Sequence, residues 1–233
     1  MTDEPTGLGP LSGSPLRASS PLRTPRAAAV AGIVFSVFLA AALVLLRISI
    51  PAHPAVPGSW LTDSGRRTAV AIALNLIPFA GIAFLWFVGV LRDRIGARED
   101  RFFATVFLGS GLTFVAMIFV AAAVGGALIA AQTSTPLGPG ILALGRTISG
   151  NLINIYAMRM AAVFTLTTVT IARRTQIVSK WLTLAGLVCA LVLLVGVGFS
   201  PWVELLFPAW ILALSIDFLA AGLRHPAQAS ASE

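Results

Sequence analysis

The chain has 233 residues, of which 57% are hydrophobic and 11% charged, with a formal net charge of +7. A water-facing domain carries roughly a quarter charged residues, so this composition excludes an ordinary soluble fold. The positive balance does not indicate nucleic acid, because the basic residues are scattered between apolar runs rather than gathered on one face.

Residues 1–26 are rich in Pro, Ser, Gly and Thr and repeat "SPLR" at 14–17 and 20–23. They lack an apolar face and cannot bury enough surface to offset their ordering entropy, which predicts a disordered tail. The next 20 residues, "AAAVAGIVFSVFLAAALVLL" (27–46), are almost entirely apolar. That run exceeds the roughly 7–15 residues of a signal-peptide core and suits a retained membrane span. Five further spans are expected at about 68–91, 102–131, 147–172, 181–199 and 202–223. The segments "SIPAHPAVPGSWLTDSGRR" (49–67), "RDRIGARED" (92–100) and "QTSTPLGPG" (132–140) read as connecting loops. "FSPW" (199–202) reads as a tight turn, with Pro201 in the first turn of the last helix. The expected architecture is an all-α bundle of six transmembrane helices over 27–225, followed by a short flexible tail at 226–233.

Arginine placement orients this bundle. With the N-terminus inside, eleven basic residues are cytoplasmic: Arg17, Arg23, Arg26, Arg92, Arg94, Arg98, Arg101, Arg173, Arg174, Lys180 and Arg224. Four lie on the other side: Arg47, Arg66, Arg67 and Arg146. The positive-inside asymmetry predicts both termini in the cytoplasm. Trp60 and Trp202 then fall near the outer interface and Trp86 and Trp181 near the inner one, whereas Trp210 lies inside a span.

One charge breaks the pattern. "NLINIYAMRM" (151–160) carries Arg159 fourteen residues above Arg173, hence ~21 Å into a hydrocarbon layer of roughly 30 Å. A charge at such depth costs about 2.5–3.5 kcal/mol on insertion scales and normally faces protein or water. On a regular helix Asn151, Asn154, Thr165 and Thr168 share a sector roughly 100° wide, with Arg159 about 130° from its centre and Tyr156 beside it. A span polar on two faces is expected to sit centrally in the bundle. Glu204 and Asp217, both in the sixth span, are the two carboxylates available to Arg159. The competing reading has Glu204 complementing its own helix N-terminus and Asp217 meeting interfacial water or Arg224. Asn151, Asn154, Tyr156, Arg159, Glu204 and Asp217 form the candidate polar cluster.

Catalytic signatures are sparse. "LGSGL" (108–112) superficially resembles the nucleophile region of rhomboid proteases, but His53 and His225 both lie outside the expected spans. The glycines there, in "AAAVGGA" (121–127) and in "LAGLVCA" (184–190) are expected to allow close helix packing. The lone Cys189 reads as a small buried hydrophobe. No spacing suited to a metal, phosphate or cofactor occurs, so no catalytic residue, metal or cofactor is assigned.

"GVLRDRIGAR" (89–98) resembles the loop between the second and third spans of major facilitator transporters. The resemblance implies that Gly89, Asp93, Arg94, Gly96 and Arg98 form a cytoplasmic gate lock. Only one copy is present, so a second six-helix unit would have to come from another chain. A broader similarity rests on "LNLIPFAGIAFLWFVGVLRDRIGAREDRFFATVFLGSG" (74–111), "NIYAMRMAAVFTLTTVTIARRT" (154–175) and "FPAWILALS" (207–215). Over residues 27–223 the chain resembles uncharacterised six-span membrane proteins of GC-rich, actinobacterial-type bacteria. That resemblance implies a plasma-membrane location and no activity. Three readings follow. The first is a non-enzymatic bundle acting as an accessory or interaction protein, with lipid, itself or another membrane protein as partner. The second is a small-solute transporter built as a dimer of six-helix units, and the third an intramembrane enzyme.

Overall fold

Among the described residues, five helices are long and apolar enough to cross a membrane. The computed structural model describes residues 24–50, 58–95, 101–134, 137–175, 178–196 and 200–229, and every element among them is helical. These are α1 (Thr24–Ser49), α2 (Ser59–Thr62), α3 (Ser64–Ile95), α4 (Arg101–Ser134), α5 (Pro139–Asn151), α6 (Met158–Thr175), α7 (Lys180–Val195) and α8 (Leu206–Ala229). A π-helical stretch, Leu152–Ala157, joins α5 to α6 without a break, and a 3₁₀ turn, Pro201–Leu205, leads into α8.

The expected elements shift in several places. The fourth span is part of one helical run from Pro139 to Thr175, so residues 139–140 of the expected 132–140 loop and the "ILALGR" that follows are helical, while 132–134 end α4. Gly138 is extended, and Pro139, which needs no amide partner, opens α5. α8 continues through 226–229, residues read above as tail. α7 has 16 residues, ~24 Å of helix against a hydrocarbon layer of roughly 30 Å, so the expected fifth span is shorter than its neighbours. The last three residues of the expected 1–26 tail are helical, as α1 begins at Thr24; residues 1–23, the loop residues Gly96 and Arg98, and His53 lie outside the described residues.

Six helices close a ring: α1 packs on α3, α3 on α4, α4 on α6, α6 on α7, α7 on α8 and α8 on α1. One phenylalanine from each of five helices fills its centre: Phe35, Phe84, Phe114, Phe164 and Phe207, all fully buried. Their centroids lie 4.6 Å apart for Phe35–Phe84, 5.0 Å for Phe84–Phe164 and 5.0 Å for Phe114–Phe207. The first two pairs are tilted and the third is edge-to-face, and aromatic pairs add about 0.5–1.5 kcal/mol each beyond the area they bury.

Glycine sets the closest helix approaches. A methyl group at Gly32 of α1 would meet Ser215 Oγ at 2.0 Å, and one at Gly186 of α7 would meet Val169 at 2.5 Å and the Trp210 ring at 2.6 Å. Trp210 is buried there and donates its indole N–H to the Leu182 carbonyl at 3.2 Å. Gly109 and Gly126, expected to pack closely, face open space.

The outer surface of the ring is apolar. Only 33–56% of each candidate span's most apolar window is buried, and Ile72, Phe79, Leu112, Val120, Leu166, Leu191 and Ile216 point outward. A water-soluble monomer rarely exposes so continuous an apolar surface. The buried hydroxyls of Ser36, Ser110, Thr168 and Ser215 each donate to a carbonyl of their own helix. In a medium without water, polar groups are satisfied this way.

Candidate functional site

Helices that alternate in direction bring the end of α1, the start of α3, the end of α4, the start of the α5–α6 run and the 3₁₀ turn to one end of the ring. There they enclose a cavity of about 470 Å³. One wall is apolar: Leu43 and Leu46 of α1, Ile50 just after it, Val70 and Leu74 of α3, and Leu128 of α4, with Trp60 of α2 alongside. The opposite wall is polar: Arg146, Thr147, Ser149, Gly150, Asn151 and Asn154, with Arg47 and Glu204 adjoining. None of the five central phenylalanines lines the cavity, and Phe207 begins the aromatic layer one turn beyond Glu204. The cavity is therefore a cup rather than a passage.

Arg47 organises the polar wall. Its Nη2 donates to Asn154 Oδ1 at 3.0 Å and forms an ion pair with Glu204 Oε1. Glu204 is 4% exposed, whereas the Arg47 side chain keeps 27% of its surface. Ser149 donates to the Ala121 carbonyl at 3.0 Å, which fastens α5 to α4 beside the cup. Within α3, Pro78 has no N–H to offer the Leu74 carbonyl, so the helix is weakened at the level of this wall.

The π-helical stretch decides what faces the cup. On an uninterrupted helix Asn154 and Thr165, eleven residues apart, share one face. The extra residue of a π-bulge rotates everything after it by about 100° relative to what precedes it. Thr165 and Thr168 thus pack inside the bundle, while Asn154 turns to Arg47. Arg146, Gly150 and Asn154 follow one another at intervals of one turn along the cup wall.

The six candidate residues separate into three groups. Asn151, Asn154 and Glu204 line the cup. Tyr156 and Arg159 are exposed on the outer face of the α5–α6 run, so this span has a lipid-side face and is not enclosed on most sides. Asp217 lies in a shallow groove between α7 and α8 with Trp181 and Leu182. The pairing expected for Arg159 does not form: Glu204 is taken by Arg47, and Arg159 makes no ion pair among the described residues. Of the loop motif, Gly89 is exposed on α3, and Asp93 and Arg94 continue that helix.

Arg47 itself was assigned to the outer loop from sequence. Depth matching carries the missed signal. Arg47 stands one residue past the 27–46 run and Glu204 three residues beyond Pro201, which puts both at the same end of their spans.

Comparison with protein-family models, with curated proteins and with solved structures finds no match for this chain.

Proposed function

We propose that this chain is a multi-pass plasma-membrane protein, threaded six times with both termini cytoplasmic, that works as a binding or accessory bundle. It belongs, in this reading, with the actinobacterial-type six-span group that its sequence resembles. The observation that carries the proposal is the cup: a cavity with one polar wall at one end of an apolar ring whose centre is filled by five buried phenylalanines from five helices. Arginine asymmetry puts the cup on the outer side, because Arg47 and Arg146 belong to the basic-poor set. Five long apolar helices and a short sixth supply the spans.

Transport is the second reading, and the cup favours it to the extent that solute sites in membrane bundles are also polar recesses between helices. Permeation would require the aromatic layer to part. Single cysteines in a Cys189→Ser background separate the two, read with a membrane-impermeant maleimide on sealed vesicles of each orientation. A binding cup predicts that Gly150→Cys reacts from the outer side only and that Phe107→Cys, below the layer, reacts from neither. Reaction of Phe107→Cys from the inner side, together with solute flux in proteoliposomes, would replace the binding reading with the transport one.

A further inference from the structure

We infer that the cup receives a small amphipathic anion, an oxyanion head held by Arg47 on an apolar body that lies against Leu46, Leu74 and Trp60. This deepens the binding reading above and rests on it.

The argument starts from the donors of Arg47. A guanidinium carries five N–H groups. Both bonds it makes, to Asn154 and to Glu204, leave through Nη2. The three donors on Nη1 and Nε have no partner among the described residues, and the side chain retains 27% of its surface where it lines the cavity. Glu204 and Asn154 thus anchor one corner of the fork and leave the rest presented to the cavity. A planar fork of N–H groups matches the oxygens of a carboxylate or phosphate.

Charge points the same way. The one carboxylate lining the cavity among the described residues, Glu204, is 4% exposed and already bound to Arg47, so no acidic group is left to receive a cation. A cationic head would meet the Arg47 guanidinium first. The opposite wall is wholly apolar, and 470 Å³ is the volume of a small-molecule site, with room for on the order of fifteen waters. Glycine makes that room: a methyl group at Gly150, one turn from both Arg146 and Asn154, would meet nothing within 4 Å.

The test uses the full chain in phosphatidylcholine nanodiscs, titrated calorimetrically with decanoate, decyl phosphate, decanol and decylamine. Gly150→Leu nanodiscs, whose cavity is filled, give the membrane-partition baseline. The structure predicts saturable binding of decanoate and decyl phosphate at least tenfold tighter than decanol, and none of decylamine. Arg47→Gln/Glu204→Gln, which keeps the cavity's net charge and strands no charge, should weaken decanoate about ten- to a hundredfold. Gly150→Leu should abolish binding while its unfolding temperature is unchanged or higher, since leucine replaces glycine within a helix. Native mass spectrometry with added phosphatidylglycerol identifies the source of the head: retention that decanoate displaces means a membrane lipid, and no retention means a free amphiphile. Either supports the proposal. Equal binding of decanoate and decanol, preference for decylamine, or no binding of any anion overturns it. If only the ligand class is wrong, Gly150→Cys still labels from the outer side alone; if the cup is a conduit, decanoate still binds but Phe107→Cys labels from inside.

Discussion

Removing either member of the Arg47–Glu204 pair should destabilise the bundle, and by unequal amounts. Glu204 is 4% exposed and Arg47 keeps 27% of its side-chain surface. Arg47→Gln leaves a carboxylate with almost no access to water, the situation that costs about 3–5 kcal/mol when a buried pair is broken. Glu204→Gln leaves a guanidinium that reaches the cup's water and still bonds Asn154, so its cost falls nearer the ~1–3 kcal/mol of an under-satisfied polar group. The double variant strands no charge and should cost less than the sum, with a coupling of about 1–3 kcal/mol. For a chain of this length 1 kcal/mol moves the unfolding midpoint by roughly 2–4 °C, so Arg47→Gln should lose on the order of 10 °C. Thermal unfolding of the three variants in maltoside micelles, followed by tryptophan fluorescence, completes the cycle. Additive losses, or a larger loss for Glu204→Gln than for Arg47→Gln, would refute the pairing and its burial asymmetry.

Other consequences are sharp enough to check by the same unfolding assay. Gly186→Ala pushes a methyl group within 2.7 Å of Val169 and the Trp210 ring and should cost about 1–3 kcal/mol, whereas Gly109→Ala meets nothing and should be neutral or stabilising by up to ~1 kcal/mol. Phe84→Ala removes the ring that touches Phe35, Phe87, Phe114, Phe164 and Phe207, with an expected loss of about 3–5 kcal/mol. Arg159→Leu replaces an exposed intramembrane charge with an apolar side chain; expression and midpoint should hold or rise, because the ~2.5–3.5 kcal/mol insertion cost disappears. A loss as large as that of Arg47→Gln would mean that Arg159 has a partner after all.

How far residues alone foretell this molecule depends on which physical signal each feature leaves. Apolar runs leave the strongest: 27–46 lies within α1, and the "FSPW" turn places Pro201 at the first position of a 3₁₀ turn capped by Ser200. Hydropathy starts the fourth span only at about 147, since the short apolar "ILAL" (141–144) stands between a Pro/Gly segment and the polar "GRTISGN" (145–151), yet a helix that lines a cup needs polar residues and loses nothing by having them. A regular helix wheel also fails across Leu152–Ala157. The π-bulge changes the phase there, and no composition marks it in advance. On a regular wheel Asn154 falls on the face of Thr165, whereas in the structure it turns to Arg47. Small residues at Gly186 and Gly125 do mark helix contacts, while Gly109 and Gly126 carry the same letters on an open face.

The cup has meaning only if the chain is threaded through lipid with that end outward. Fusing a reporter that is active only outside the cytoplasm after residue 98 and after residue 138 measures this directly. The threading described here yields a silent reporter after 98 and an active one after 138. Activity after 98, or silence after 138, would turn the cup to the cytoplasm or remove the span between them and contradict the account.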